Sequence, residues 1–223
     1  MIKACLFDLD GTLLDTLSTI SYYGNMALNK FGIDSIETNE YKYFVGNGAK
    51  LLVERMLKFR NAYTEEMFDR VFEYYNEQYN ADVKRYTAPY DGVEKLVKDL
   101  KSNGIMTAVI SNKPDYAACE AVNTFFEDGS FDVVHGQREG IKIKPDPEGA
   151  EDILKTLGVK PEETVYVGDT WIDMQTGKNL GAYTIGVLWG FRDFDELESN
   201  GADKIISTPD EIFEYIKSVN KSK

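Results

Sequence analysis

The chain has 223 residues, 43% hydrophobic and 28% charged, which is ample for a buried core and fits one large domain or two modest ones. Its formal net charge of -13 opposes nucleic acid and anionic membranes, yet leaves room for a small anionic substrate, which feels the local site more than the total. Two cysteines make no disulfide framework, no run approaches the ~18 apolar residues of a membrane span, and the N-terminus has no signal-peptide pattern, so a cytoplasmic location is expected.

In chain order, Cys5, Leu6 and Phe7 open a strand that ends on Asp8 and Asp10, two carboxylates on one face of an extended chain. Gly11 follows at once. From 16 to about 85 the pattern is helical throughout. One helix runs from about Thr16 to Phe31 and stops at Gly32, and another follows Gly48 with Ala49, Leu52, Val53 and Met56 at helical spacing. A third follows Thr64, a plausible N-cap, with Glu65 and Glu66 in its first turn and Phe68, Val71, Phe72, Tyr75 and Tyr79 in one stripe.

From residue 90 the texture alternates. A helix marked by Val93, Leu96, Val97 and Leu100 ends at Gly104, and "IMTAVISN" (105–112) is a strand followed by a polar loop. A helix at 114–126, the short strand "FDVVHG", a helix at 147–157 stopped by Gly158, and the strand "TVYVGD" (164–169) come next. A helix from about Ile172 to Leu180 ends at Gly181. The strand "AYTIGVL", a short strand near Lys204–Ile206, a helix from Asp210 to about Val219 and a frayed "NKSK" end complete the chain. Strands alternating with helices imply a parallel sheet, so the expected fold is α/β. A Rossmann-like core of 1–15 and 86–223 would carry an inserted all-helical cap of 16–85, with the crossings near 15 and 85 as a hinge.

Ligands of an open parallel sheet sit beyond the carboxyl ends of its strands. The strands deliver Asp8 and Asp10, then Ser111, Asn112 and Lys113, and then Gly168 and Asp169 with Asp173 four residues on. The loop "KIKPDP" adds Lys142 and Lys144. Two carboxylates ~4 Å apart repel by about 4 kcal/mol at an effective dielectric of 20, so a hard divalent cation such as Mg²⁺ is expected among them. A carboxylate can attack phosphorus and form an aspartyl-phosphate, while a second carboxyl protonates the leaving oxygen and later deprotonates water. Asp8 suits the first role and Asp10 the second. Gly11 and Thr12 stand where a tight turn lets backbone N–H groups approach phosphate oxygens. Ser111 and Lys144 would hold the phosphate, Asn112 would join them or cap the next helix, Asp169 would hold the cation, and Asp173 would be a further ligand or sit behind one.

"DLDGTLLDT", "ISNKP", "KPDP" and "GDTWIDM" resemble the four motifs of the haloacid dehalogenase superfamily of phosphohydrolases, in that family's order along the whole chain. The resemblance implies a Mg²⁺-dependent phosphotransferase in which Asp8 is the nucleophile and Asp10 the acid and base. It places the metal on Asp8, Asp169 and the Asp10 backbone carbonyl. The dehalogenase branch usually lacks the second Asp of the first motif, so Asp10 points to phosphate chemistry. "FVGNGAKLLVERML" (44–57) and "GVLWGFRDFDELESNGADKIISTPDEI" (186–212) are similar to segments of bacterial phosphoglycolate phosphatases, and pyrophosphatases share parts of them. The implied substrate is a small phosphorylated metabolite, with pyrophosphatase and sugar phosphomutase activities as alternatives. Asn47, Gly48 and Lys50 would meet it from the cap, against the plainer reading of a loop and solvated side chains; Lys50 and Arg192 stand open to the same two readings. His135, the lone histidine, reads as a packed sheet-edge residue. A signalling receiver module, which also phosphorylates an Asp on a parallel sheet, has no counterpart to the 70-odd residues between Asp15 and Pro89. Oligomeric state is not legible.

Overall fold

A computed structural model describes residues 1–221, and Ser222 and Lys223 of the expected frayed end lie outside the described residues. The chain divides into two compact units, one of Met1–Asp15 with Pro89–Lys223, the other Thr16–Ala88. In order, the elements are β1 (Ala4–Phe7), β2 (Leu14–Asp15), α1 (Leu17–Lys30), α2 (Ala49–Phe59), α3 (Glu65–Ala81), β3 (Ala88–Pro89), α4 (Val93–Ser102), β4 (Met106–Pro114), α5 (Asp115–Phe125), β5 (Val133–Gln137), α6 (Glu148–Leu157), β6 (Thr164–Gly168), α7 (Trp171–Leu180), β7 (Tyr183–Val187), α8 (Phe194–Ser199), β8 (Lys204–Ile206) and α9 (Asp210–Lys221). Short 3₁₀ turns stand at Thr38–Tyr43 and Pro161–Glu163.

The first unit is a six-stranded sheet in the order β5-β4-β1-β6-β7-β8, all pairings parallel. β1 lies between β4 and β6, with Ala4 opposite both Met106 and Thr164. Its four residues are all buried because both faces are covered, and the period of two sorts them. Cys5 and Phe7 join Val109, Val165, Val167 and Ile185 on one face, packed by α4, α5 and α9. Ala4 and Leu6 join Ala108, Ile110 and Tyr166 on the other, packed by α6 and by Leu180 of α7. The Cys5 thiol is fully buried and burial pushes its pKa up, so it is unreactive packing.

The strand expected to end at Asn112 continues as β4 to Pro114, with a register shift after Ile110. Lys113 is thereby held in extended backbone with its side chain buried. α8 has no counterpart in the sequence reading. It has six residues and buries only Leu197, too little to show a helical period, although Asp193 caps it by accepting from the Glu196 N–H. The expected fraying of the C-terminal segment is corrected at Asn220. Its side chain accepts from the Ile2 N–H at 2.6 Å and donates to the Ile2 carbonyl at 2.9 Å, tying α9 beside β1.

The second unit is helical. Val71, Tyr75 and Tyr79 of α3 are buried with Tyr23, Ala27 and Leu28 of α1 and Val53, Met56 and Leu57 of α2. The Tyr23 and Tyr79 rings meet edge to face at 5.7 Å. Thr64 caps α3 by accepting from the Met67 N–H. Among the described residues no helix is long and apolar enough to cross a membrane.

Candidate active site

β1 delivers Asp8 while still paired with β6, through a 2.9 Å bond from the Asp8 N–H to the Val167 carbonyl. The chain then turns back. Leu13 and Leu14 donate to the Leu9 carbonyl at 3.0 Å, and Gly11 donates to the Leu14 carbonyl at 2.9 Å. Gly11 has φ 94°, and a Cβ there would lie 2.3 Å from Asp169 Oδ2. Both the backbone conformation and the close approach of a carboxylate therefore require glycine.

Each carboxylate of this loop has its own lysine. Lys144 Nζ donates to Asp8 Oδ1 at 2.8 Å and to Asp173 Oδ1 at 2.7 Å, with only 4% of the Lys144 side chain exposed. Lys113 Nζ donates to the two oxygens of Asp10 at 3.0 and 3.1 Å. That pairing is why two like charges can share one loop. Asp8 and Asp10 face different cations and so have different surroundings.

The rest of the site is built around Lys144 and Asp169. Asn112 donates to the Lys144 carbonyl at 3.2 Å and accepts from the Lys144 N–H at 2.8 Å. Asn112 thereby grips the backbone of the lysine, because a primary amide matches both groups of one peptide residue. Asp173 accepts at Oδ2 from the Thr170 N–H and hydroxyl, closing a capping box at the start of α7. Its other oxygen meets Lys144 and, at 3.4 Å, the Tyr166 hydroxyl. Asp169 accepts from the Thr12 hydroxyl at 2.9 Å and from the Phe191 N–H at 2.8 Å. Thr12 therefore positions Asp169. Ser111 is buried, and its Oγ accepts from the Lys113 N–H at 3.3 Å.

Asp8, Asp169 and Asp173 are buried, and their oxygens approach within 4.8 Å of one another. Burial pushes the Asp8 carboxyl up, Lys144 pulls it back, and Asp173 and Asp10 push it up again, leaving it at about 7. Asp169 is raised well above the carboxylate range by burial, then by Asp173 and Asp8. Burial pushes the Lys144 ammonium down, but Asp173 and Asp8 outweigh it and hold its pKa well above the usual lysine value. Burial is the larger cause of the two carboxyl shifts, and the crowding of buried negative charge adds to it and raises Lys144. Such a set of hard oxygen donors fits a divalent cation such as Mg²⁺.

Asn47, Gly48 and Lys50 belong to the helical unit. Asn47 accepts from Arg55 at 2.7 Å, Gly48 caps α2 with φ 84°, and Lys50 is exposed. Arg192 pairs with Glu196 at 3.1 Å. His135 lies on the edge strand β5, 3.8 Å from Asp152, and burial and then Arg138 lower its pKa.

The loop after β7 is a part of the site that sequence reasoning missed. Phe191 holds Asp169, the Trp189 indole donates to the Thr12 carbonyl at 3.0 Å, and a Cβ on Gly190 would lie 2.3 Å from Asp169 Cβ and 2.4 Å from the Gly11 carbonyl. The segment "LWGFR" carries an isolated glycine between aromatics, which marks a close backbone approach. It does not name the partner.

The family profile described as haloacid dehalogenase-like hydrolase matches residues 5–187. A phosphoglycolate phosphatase of Aquifex aeolicus is 30% identical over 213 residues, covering 95% of each chain. A pyrophosphatase PpaX of Listeria innocua is 30% identical over 218 residues, covering 97% of each. A crystal structure from Lactobacillus delbrueckii subsp. bulgaricus, provisionally described as a phosphoglycolate phosphatase, is 33% identical with a TM-score of 0.91, covering 96% of this chain and 98% of that one.

Proposed function

This chain belongs to the haloacid dehalogenase-like hydrolase family, and from that premise we propose that it is a Mg²⁺-dependent phosphomonoesterase of a small phosphorylated metabolite, with 2-phosphoglycolate as the preferred candidate. The observation that carries the reading is the division of labour at the end of β1, where Asp8 is bound to Lys144 and Asp10 to Lys113. Asp8 attacks phosphorus and forms the aspartyl-phosphate. Asp10 gives a proton to the leaving oxygen, then takes one from the water that cleaves the acyl phosphate.

The Ser111 hydroxyl and Lys144 hold the phosphoryl oxygens, while the Gly11 and Thr12 N–H groups expected to join them donate to the Leu14 and Leu9 carbonyls. Asp173 and Asn112 hold Lys144 in place. Asp8, Asp169 and the Asp10 carbonyl are the proposed cation ligands, with Asp173 behind them, and the cation supplies charge that offsets repulsion between Asp8 and an anionic substrate. Asn47, Gly48 and Lys50 are the proposed substrate contacts of the helical unit, which acts as a cap, and a cytoplasmic location belongs to the same reading.

The test is phosphate release from 2-phosphoglycolate, pyrophosphate and a set of sugar phosphates, each with Mg²⁺ and with EDTA. Mg²⁺-dependent release led by 2-phosphoglycolate is the expected result. Release led by pyrophosphate would favour the second reading, a pyrophosphatase, which the Listeria relative supports. Release from none of the compounds would overturn the proposal.

A further inference from the structure

We infer that Lys113 is a specificity-determining residue whose ammonium binds an anionic group carried by the leaving group, one or two bonds from the oxygen that departs. The substrates so selected are α-phosphoryloxy carboxylates and diphosphates. The inference rests on the phosphatase reading, in which Asp10 serves the leaving oxygen.

Four observations lead there. Lys113 is drawn inward by the two residues that β4 adds beyond Asn112, and only 7% of its side chain is exposed. Its ammonium lies 3.0 and 3.1 Å from the Asp10 oxygens, while the Asp10 side chain keeps 20% of its surface open. Lys144 is fixed between Asp8 and Asp173. Arg192 is engaged by Glu196.

Geometry sets the reach. An acid must come within about 3 Å of the oxygen it protonates, which puts the Lys113 ammonium within roughly 6 Å of that oxygen. A carboxylate on the adjacent carbon, or a second phosphate on the oxygen itself, then falls within hydrogen-bond distance, about 3 Å, of the ammonium. A neutral alcohol in the same place gains no charge-assisted bond from it. Lys113 thus serves Asp10 and the incoming anion with one cation, which makes the acid and the charge selection parts of one device.

The experiment compares 2-phosphoglycolate with 2-hydroxyethyl phosphate, in which CH₂OH replaces the carboxylate, at saturating Mg²⁺. The quantity read is the ratio of their kcat/KM values in wild type, Lys113→Gln and Lys113→Arg, with thermal unfolding of each protein alongside. A loss that Lys113→Gln causes through Asp10 falls on both esters and cancels in the ratio. The expected result is a wild-type preference for 2-phosphoglycolate that Lys113→Gln lowers about ten- to a hundredfold, the range for a hydrogen bond to a charged group, and that Lys113→Arg largely keeps. A ratio unchanged within about threefold in Lys113→Gln overturns the inference. So does a wild-type enzyme that hydrolyses both esters equally well, a result that leaves the phosphatase reading standing and does not depend on any variant folding. A wild-type protein that releases phosphate from neither ester nor from the sugar-phosphate set overturns the phosphatase reading itself.

Discussion

Gly190→Ala is the substitution whose effect follows most directly from the packing. No left-handed backbone is involved, so the cost is steric. The new Cβ would stand 2.3 Å from Asp169 Cβ, 2.4 Å from the Gly11 carbonyl and 2.5 Å from Asp169 Oδ2. Carbon atoms rest at about 3.5–4.0 Å, so the loop or the carboxylate must retreat by at least about 1 Å. None of the three neighbours is the loose end of a flexible chain. A retreat of that size breaks the 2.8 Å bond from the Phe191 N–H to Asp169, and a hydrogen bond to a charged group contributes about 1.5–3 kcal/mol. For a chain of this length each kcal/mol lowers Tm by roughly 2–4 °C, so a fall of roughly 3–12 °C is expected. Displacing Asp169 should also weaken Mg²⁺ binding by at least about tenfold, since a misplaced ligand loses a comparable interaction. Thermal unfolding with and without Mg²⁺ reads both effects. A Gly190→Ala protein with wild-type Tm and a wild-type Mg²⁺ response would refute the role given to this loop.

Four further outcomes are expected. Asp8→Asn should abolish phosphate release while leaving the far-UV circular dichroism unchanged, and near-wild-type turnover would remove Asp8 as the nucleophile. Asp10→Asn should lower kcat by roughly a hundred- to ten-thousandfold, the usual range for a positioned acid or base, and an unchanged rate would place that role elsewhere. Lys144→Met leaves Asp8 and Asp173 buried without their cation, so urea unfolding should show a loss of about 3–5 kcal/mol together with loss of activity. Mg²⁺ at a hundred times its Kd should stabilise the fold by about 2.7 kcal/mol, and this gain should depend on pH. Burial holds the Asp8 carboxyl at about 7, above its ordinary 3.8, so the protonated form is favoured in the metal-free fold. That stabilisation is full below about pH 4 and is lost as pH rises through 7. A cation must displace the proton, so the Tm gain from a fixed Mg²⁺ concentration should be larger at pH 8 than at pH 6. Equal gains at the two pH values would count against Asp8 as a ligand.

The carboxylates of the candidate site were legible because their positions follow from topology. An acidic residue just beyond the carboxyl end of a buried strand has one place to go: Asp8 follows β1 and Asp169 follows β6 directly, and Asp10 stands in the turn two residues on. Lys144 was legible because "KPDP" opens a helix beside the same edge. What the sequence hid are side-chain directions and loop contacts. Nothing in "ISNKP" says that Lys113 turns inward to Asp10 or that Asn112 grips Lys144, since each depends on how far β4 continues beyond the regular ladder. Thr12 is expected at the phosphate, and nothing in the sequence says that its hydroxyl donates to Asp169. The loop at Trp189–Phe191 was opaque for a different reason. Its bonds run to Thr12 and Asp169, and no local pattern encodes a partner so far away in the chain. The brief α8 buries one side chain and so leaves no periodic trace.

The place of β1 in the sheet has a consequence for how the chain is made. Its partners are β4 and β6, so it leaves the ribosome about a hundred residues before one and about a hundred and sixty before the other. At roughly 5–20 residues per second that is a wait of many seconds. During that interval the helical unit can complete its own core, while Ala4–Phe7, wholly apolar and open on both edges, has nothing to pair with. The strand that leads into Asp8 is thus synthesised early and seated late, and the nascent chain is most in need of a chaperone before β4 emerges.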